Sequence, residues 1–298
     1  MSYTGPEFEP PQQRRRRRGP LVVTLAALAA GALAGWLAYE TAGGGGGHAD
    51  AAPSPSPSPS ASASSGADGK AAAPLEGKVV VIDPGHNPDN FRHPAEINRQ
   101  VDIGSNRKEC DTTGTATDDG YAEASFTLDV AHRLRALLER QGATVRLTHD
   151  DKGPDWGPCV TERAAIGNKA HADAAISIHA DGAPAGDRGF HVILPGAVHA
   201  GAADTRPIVA PSRDLGKRIA GSFLRVTGEP PSNYIGHGTA LDTRTDLGGL
   251  NLSTVPKVFI ECGNMRDTKD AALLTSGSWR QKAAQGISEG IVSFLGES

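Results

Sequence analysis

The sequence predicts an α/β protein whose core is a mostly parallel β-sheet with helices on both faces. Three observations lead to this fold class. Strand and helix patterns alternate from residue 75 onward. In the run KVVVI at Lys78–Ile82, every residue after the lysine is β-branched, which is typical of a strand buried on both faces. Residues 122–140 have apolar side chains at spacings of three and four, as in an amphipathic helix.

The remaining elements follow from the same two patterns. The long helix carries Phe126, Val130, Leu134 and Leu138 on one face and ends near Gly142, a residue type that favours helix ends. Short apolar runs predict the other strands, and helical spacing predicts the other helices. In chain order these are strand Thr144–Leu147, helix Glu162–Ala170, strand Ala174–Ile178, strand Phe190–Leu194, helix Ser212–Val226, strand Val258–Ile260 and helix Trp279–Leu295.

The first 74 residues differ in composition from the rest of the chain. Residues 1–20 are polar and carry consecutive arginines at Arg14–Arg18, so we expect a basic cytoplasmic head. Residues 21–39 contain no charged side chain. As a helix they would reach about 28 Å, close to the ~30 Å core of a bilayer. Residues 40–74 are rich in Gly, Ser and Pro, which predicts a disordered linker before a folded domain at 75–298.

Two interpretations of residues 21–39 remain open, a cleaved secretory signal and an uncleaved membrane anchor. Ala32–Ala34 fits the small-residue pattern of a cleavage site. The apolar run is longer than that of a usual signal, however, and Trp36 and Tyr39 lie where a membrane interface would be. We therefore favour a single-pass transmembrane anchor. In both cases the arginines stay inside and the chain after residue 40 is exported.

Charge and cysteine content exclude several classes of protein. The formal net charge is −4 and the pI is about 6.2, so we expect no nucleic-acid binding. Three cysteines are too few for a disulfide scaffold. Cys110 and Cys159 lie in polar stretches of an exported chain, so we predict a disulfide between them, with two free thiols as the alternative. Cys262 follows an apolar strand and is expected to be a buried, inert thiol.

Four side chains with metal-binding or acid–base chemistry are predicted to meet at one edge of the sheet. His86, His179 and Glu261 each come just after a predicted strand, and α/β sheets bind their ligands beyond the carboxyl ends of strands. Glu123 precedes Phe126, the first core residue of the long helix, by three positions. That spacing puts the Glu123 side chain on the core-facing side of the helix rather than in water.

Each of these residues also has a purely structural explanation. A histidine after a strand is often a hydrogen-bonded loop residue, and Glu123 could be an acid favoured at a helix N-terminus. Glu261 follows an apolar strand, where an unpaired carboxylate is costly. Together, however, two histidines and one glutamate form a known ligand set for catalytic zinc, and a second glutamate could act as a base toward water. The other histidines are interpreted as structural or surface residues: His48, His93, His132, His149, His171, His191, His199 and His237.

The motifs around these residues resemble one known family. VVVIDPGHNP, the helix begun by Glu123, SIHAD followed by GFHVIL, and VPKVFIECGNMRD are similar to motifs of the zinc-dependent N-acetylmuramoyl-L-alanine amidases. The resemblance extends from residue 78 to about residue 296, and implies that residues 75–298 are a zinc amidase catalytic domain with a twisted, six-stranded mixed sheet. It further implies one Zn²⁺ bound by His86, Glu123 and His179, with Glu261 as the catalytic residue. The implied substrate is peptidoglycan, cut between the lactyl group of N-acetylmuramic acid and L-alanine.

The segment 87–120 departs from the family pattern. Asn87–Asn90 stands where the family often has a glycine-rich continuation after its first histidine. The segment is long and polar, and could be either a substrate-facing loop or a lid. Asp181 lies two residues after His179 and could hydrogen-bond to that histidine or be a solvated loop acid.

From these observations we expect a monomeric peptidoglycan hydrolase on the cell-wall side of a membrane. Its expected partners are peptidoglycan or muropeptides and, through residues 21–39, the membrane. One alternative is a non-catalytic wall-binding or regulatory protein of the same fold, and another is a different zinc peptidase of the peptidoglycan stem. The presence of both Glu123 and Glu261 disfavours the non-catalytic alternative, because an inactive relative usually lacks one of them.

Overall fold

The computed structural model describes residues 73–296. The predicted basic head, the predicted span at 21–39 and nearly all of the predicted linker therefore lie outside the described residues. Within residues 73–296, no helix is both long enough and apolar enough to cross a bilayer. The membrane anchor stays a prediction.

The described residues form both strands and helices. The strands are β1 (Val79–Pro84), β2 (Gln100–Asp102), β3 (Arg107–Glu109), β4 (Thr144–Leu147), β5 (Ala174–Asp181), β6 (His191–Pro195), β7 (His199–Ala200), β8 (Ala203–Asp204), β9 (Leu241–Arg244) and β10 (Lys257–Asn264). The α-helices are α1 (Pro94–Ile97), α2 (Glu123–Arg140), α3 (Val160–Lys169), α4 (Arg206–Thr227), α5 (Gly248–Asn251), α6 (Thr268–Leu274) and α7 (Gly277–Gly296). Short 3₁₀ turns cover Asn90–Arg92 and Gly236–Gly238.

A six-stranded sheet in the order β4–β1–β5–β10–β6–β9 forms the centre of the fold. Neighbouring strands from β4 to β10 run parallel, whereas β6 runs antiparallel to β10 and parallel to β9. Parallel strands bring their carboxyl ends to one edge, and there His179 of β5 pairs with Glu261 of β10. The predicted α/β class with a mostly parallel sheet is confirmed, and the reversal of β6 and β9 makes the sheet mixed.

The two faces of the sheet have different chemistry because side chains alternate along each strand. One face is apolar and fully buried, and it includes Ile82, Ile176, Ile178, Val258 and Ile260. We call the other face the site face, and its central residues are Asp83, Ser177, His179, Phe259 and Glu261. The alternation separates the residues that hold the fold together from those available for chemistry.

Helices cover both faces of the sheet, as predicted. Helices α2, α4 and α7 pack on the apolar face and form the main core with it. On the site face, Ile166 of α3 packs near Val81 of β1, and Gly249 of α5 lies close to the ring of Phe259. The long helices thus build the main core, while the shorter helices α3 and α5 lie on the site face.

Several parts of the fold differ from the sequence prediction, which did not include the short elements α1, α5, α6, β2, β3, β7 and β8. Helix α4 begins at Arg206 instead of Ser212 and includes Pro211. Burial of Ile208 and Leu215 in the early turns of α4 offsets the backbone hydrogen bond that this proline cannot make. Strand β9 was not predicted at all, because its sequence LDTR has no apolar run.

The segment 87–120 is ordered by short elements and by a disulfide. It contains the 3₁₀ turn Asn90–Arg92, helix α1 and the antiparallel hairpin β2–β3. Cys110, just after β3, is bonded to Cys159, just before α3. The predicted disulfide is confirmed, and Cys262 is a buried free thiol in the main core, as expected.

Candidate metal centre

The structure brings His86, Glu123 and His179 together at the carboxyl edge of the sheet. His86 follows β1, Glu123 is the first residue of α2, and His179 lies on β5. The Glu123 Oε1 atom is 3.1 Å from His86 Nε2 and 3.0 Å from His179 Nδ1. These three side chains therefore meet, as the sequence predicted.

Backbone groups hold the Glu123 carboxylate between the two imidazoles. The N–H of Thr115 donates to Oε2 at 2.9 Å, and the N–H of Ala180 donates to Oε1 at 3.2 Å. Burial alone would raise the pKa of Glu123, but the charge of His86 and the hydrogen bonds with both histidines hold that pKa well below its usual range. Burial likewise opposes protonation of His86, but the Glu123 carboxylate outweighs it and raises the pKa of His86.

This cluster fits a zinc ion. One ligand atom from each of the three residues can be chosen so that all lie within 4.8 Å of one another. Two ligands of a tetrahedral zinc, each at 2.0–2.1 Å, are roughly 3.3 Å apart, close to the 3.0 Å and 3.1 Å distances from Glu123 Oε1. The donor set of two imidazoles and one carboxylate is one that catalytic zinc sites use.

Gly85 leaves the space that the His179 ring occupies. A Cβ atom on Gly85 would lie 2.5 Å from Nδ1 and 2.7 Å from Nε2 of His179. Atoms cannot approach so closely, so a side chain at this position must displace either the ring or the end of β1. The absence of a side chain at residue 85 is thus a requirement of the cluster.

We therefore expect Gly85→Ala to weaken zinc binding by about tenfold or more, because it moves a candidate ligand. Gly221→Ala in α4 is the matched control, since a Cβ there meets no atom within 4 Å. Zinc affinity is measured by competition with a chromophoric chelator. Wild-type affinity in Gly85→Ala would contradict the assigned position of His179.

Glu261 lies beside the cluster on the neighbouring strand, in register with His179. Its Oε2 atom is shielded from solvent and has no hydrogen-bond partner among the described residues. Burial, and then the carboxylates of Glu123 and Asp181, raise the pKa of Glu261 well above its ordinary value, against a smaller opposing effect of Arg244. A carboxyl group in this position can exchange a proton with a bound molecule beside the three candidate ligands.

Asp181 does not hydrogen-bond to His179, which answers a question that the sequence left open. Its Oδ2 accepts a hydrogen bond from the Tyr234 hydroxyl at 2.8 Å, and its Oδ1 accepts from the N–H of Gly182 at 2.6 Å. Tyr234 was not identified from the sequence, because it lies in an irregular segment between α4 and β9. Asp181 acts on the site through its charge, which helps to raise the pKa of Glu261.

A cleft opens beside the two histidines. Its lining includes Phe259 and Leu247 together with the charged side chains of Lys108 and Asp246. The Phe259 ring stacks on His179, with the ring centroids 5.2 Å apart. The cleft gives an extended substrate a path to the candidate metal ligands.

One of the remaining histidines also lies among carboxylates. His132 Nε2 is 2.7 Å from Asp150 Oδ1 and 3.9 Å from Asp151 Oδ2. These three residues could hold an ion by distance alone. Arg135 donates to the other oxygen of Asp150 at 2.9 Å, however. The group is explained as a surface ion-pair network, consistent with the structural interpretation of His132.

Comparisons with known proteins show which family this chain is similar to. Residues 80–293 match the family model described as N-acetylmuramoyl-L-alanine amidase. The N-acetylmuramoyl-L-alanine amidase Rv3717 of Mycobacterium tuberculosis is 41% identical over 224 residues, which cover 75% of this chain and 88% of that protein.

Two crystal structures of mycobacterial amidases have the same fold. The structure of the N-acetylmuramyl-L-alanine amidase Ami1 from Mycobacterium smegmatis matches with a TM-score of 0.68 at 42% identity, covering 75% of this chain and 99% of that one. The apo form of Ami1 from Mycobacterium abscessus matches with a TM-score of 0.66 at 41% identity, covering 74% of this chain and 100% of that one. In both comparisons the match extends over nearly the whole of the crystallised amidase chain.

Proposed function

This chain belongs to the N-acetylmuramoyl-L-alanine amidase family, and from that premise we propose that it is a zinc-dependent peptidoglycan hydrolase. It cleaves the amide bond between the lactyl group of N-acetylmuramic acid and the L-alanine of the stem peptide. The observation that carries this proposal is the Glu123 carboxylate held between two imidazoles, with the unpartnered carboxyl of Glu261 on the adjacent strand.

In this proposal His86, Glu123 and His179 hold one zinc ion. Zinc supplies Lewis-acid polarisation of the scissile carbonyl and lowers the pKa of water, as hydrolysis of an unactivated amide requires. The chain's own contribution is to fix the three donor atoms before substrate arrives. Hydrogen bonds from Thr115 and Ala180 to Glu123 perform this task for the carboxylate.

Glu261 moves the proton. As a carboxylate it accepts a proton from the attacking water, and as a carboxylic acid it returns that proton to the departing alanine nitrogen. A raised pKa suits this double role, because a base is most effective when its pKa is near the working pH. Burial and the carboxylates of Glu123 and Asp181 provide that rise in the metal-free protein.

Digestion of purified peptidoglycan tests the proposed bond specificity. We expect mass spectrometry to find free stem peptides that begin with L-alanine, together with intact glycan strands, and we expect a chelator to stop the release. A non-catalytic wall-binding protein would release nothing. Another zinc peptidase would leave shortened stems on the glycan, which would contradict the amidase assignment.

An amidase that acts on peptidoglycan works outside the cytoplasm, and we propose that residues 21–39 hold the enzyme in the membrane. The full-length protein should therefore stay with the membrane fraction until detergent is added. Cell fractionation and N-terminal sequencing check this expectation. A mature protein that begins near residue 35 and is found free in the medium would show instead that the segment is a cleaved signal.

A further inference from the structure

The backbone at His86 has an unusual conformation. Its φ angle is 62°, in the left-handed region that residues with a side chain rarely adopt. Arg163 of α3, which is 4% exposed, donates to the carbonyl oxygen of His86 at 3.0 Å and to that of Pro84 at 2.6 Å. The buried guanidinium therefore stabilises the turn that aims His86 at the cluster.

The imidazole of His86 is held on its other side by Thr112. His86 Nδ1 is 3.0 Å from the Thr112 carbonyl oxygen and 3.1 Å from its hydroxyl. A carbonyl oxygen can only accept, so Nδ1 must carry the proton in this contact. When the ring is neutral, as a metal ligand must be, its lone pair is therefore on Nε2, the atom that faces Glu123.

Two buried polar side chains fix the position of Thr112. Asn90, fully buried, donates from Nδ2 to the Thr112 carbonyl oxygen at 2.7 Å and to Asp111 Oδ2 at 3.0 Å. Asp111 accepts from the Thr112 N–H at 2.8 Å through Oδ1 and from Arg163 at 2.8 Å through Oδ2. Thr112 is thus connected to the same arginine that holds the His86 backbone.

From these contacts we propose that Asn90 and Asp111 are positioning residues for His86. They hold the Thr112 carbonyl against Nδ1, so that Nε2 is presented to the metal. This inference rests on the proposed zinc site, so loss of either residue should lower the affinity for zinc and not only the stability of the fold. Residues that orient a metal-bound histidine typically change metal affinity by 10–100-fold when they are removed.

The disulfide places both halves of this network. Cys110 directly precedes Asp111, Cys159 directly precedes the helix that carries Arg163, and the two are bonded. In addition, the N–H of Val160 donates to the Cys110 carbonyl oxygen at 2.7 Å. The Asp111–Arg163 ion pair is therefore held by a covalent link as well as by its own charge.

The variants Asp111→Asn and Asn90→Ala in the full-length protein test the proposal. Asn90→Ala removes the donor to Thr112, and Asp111→Asn removes the charge that pairs with Arg163. Both should weaken Zn²⁺ binding by about 10–100-fold, measured by chelator competition. The d–d absorption spectrum of the Co²⁺-substituted protein should change as well, because it reports the geometry of the ligands.

Asp270→Asn is the matched control. Asp270 is equally buried, accepts hydrogen bonds from the N–H groups of Gly189 and Asn264, and pairs with Arg188 at 2.9 Å. Within the described residues it contacts none of the three candidate ligands. It should lower the melting temperature of the zinc-free protein about as much as Asp111→Asn, yet leave zinc affinity within about threefold of wild type.

Two outcomes of the affinity measurements would overturn the proposal. One is zinc affinity unchanged in both Asp111→Asn and Asn90→Ala, and the other is an equal loss in Asp270→Asn. A wild-type protein that binds no zinc would refute the zinc site itself, so the two failures are distinguishable. Histidine-selective ¹⁵N NMR on the zinc-loaded wild type needs no variant to fold. It should show His86 protonated at Nδ1, and a proton at Nε2 would also overturn the proposal.

Discussion

Replacing Glu261 with glutamine is expected to lower the rate of stem-peptide release by roughly 10²–10⁴-fold while leaving zinc binding intact. Glutamine keeps the size and shape of the side chain but cannot accept a proton from water. Both proton transfers assigned to Glu261 are then lost together, at the attack on the amide and at departure of the amine. The three candidate ligands should keep their positions, because the contacts of Glu123 with both histidines and with its backbone donors do not involve Glu261.

Release of stem peptides and zinc content per chain check this expectation in the same preparation. Glu229→Gln is the matched control, since Glu229 is also a buried glutamate whose pKa is raised, to about 7, mainly by burial and by Asp270. It pairs with Arg188 and should keep the wild-type rate within about twofold. Full activity in Glu261→Gln would remove Glu261 from the mechanism.

Glu123→Ala is expected to abolish activity by a different route, through loss of the metal. It removes one of three proposed protein ligands and leaves two imidazoles facing a cavity. The affinity for Zn²⁺ should fall by orders of magnitude, so the variant should purify with little zinc and release no stem peptides. Glu261→Gln, by contrast, should purify with one zinc per chain.

Elemental analysis of both purified variants makes the comparison direct. Circular dichroism should show that Glu123→Ala keeps its helices, because the main core of α2 begins at Phe126 and does not include residue 123. Full zinc occupancy in Glu123→Ala would break the ligand assignment. His86 and His179 would then need a third partner other than this carboxylate.

The residues that lie at strand ends could be predicted from the sequence. The runs before His86, His179 and Glu261 are apolar and end in short polar motifs, and the carboxyl ends of parallel strands meet at one edge. The spacing of Glu123 to Phe126 predicted that its side chain faces the core side of the helix, and the structure shows that it reaches both histidines. These predictions succeeded because the strand and helix periods alone determine which side chains point toward the edge.

The groups that support the site could not be predicted in the same way. Arg163 lies within an ordinary amphipathic helix pattern, yet its guanidinium is buried and joins Asp83 and Asp111, which are far away in sequence. Asn90 lies in a polar segment whose composition predicts a loop. Long-range hydrogen bonds of this kind leave no period in the sequence, and the structure was needed to find them.

The two-faced strand β10 also constrains how the length of the chain can vary. Deleting one residue before Glu261 within Lys257–Asn264 would turn that carboxyl into the apolar core and turn a core neighbour such as Ile260 toward the cleft. A two-residue deletion would restore the alternation but slide Glu261 past His179 by one pair of residues. A substitution in β10 changes a single side chain. An inserted or deleted residue in this strand, by contrast, changes the packing of the core and the position of Glu261 together. Length variation among natural or engineered versions of this protein is therefore expected in the segments between strands and not in β10.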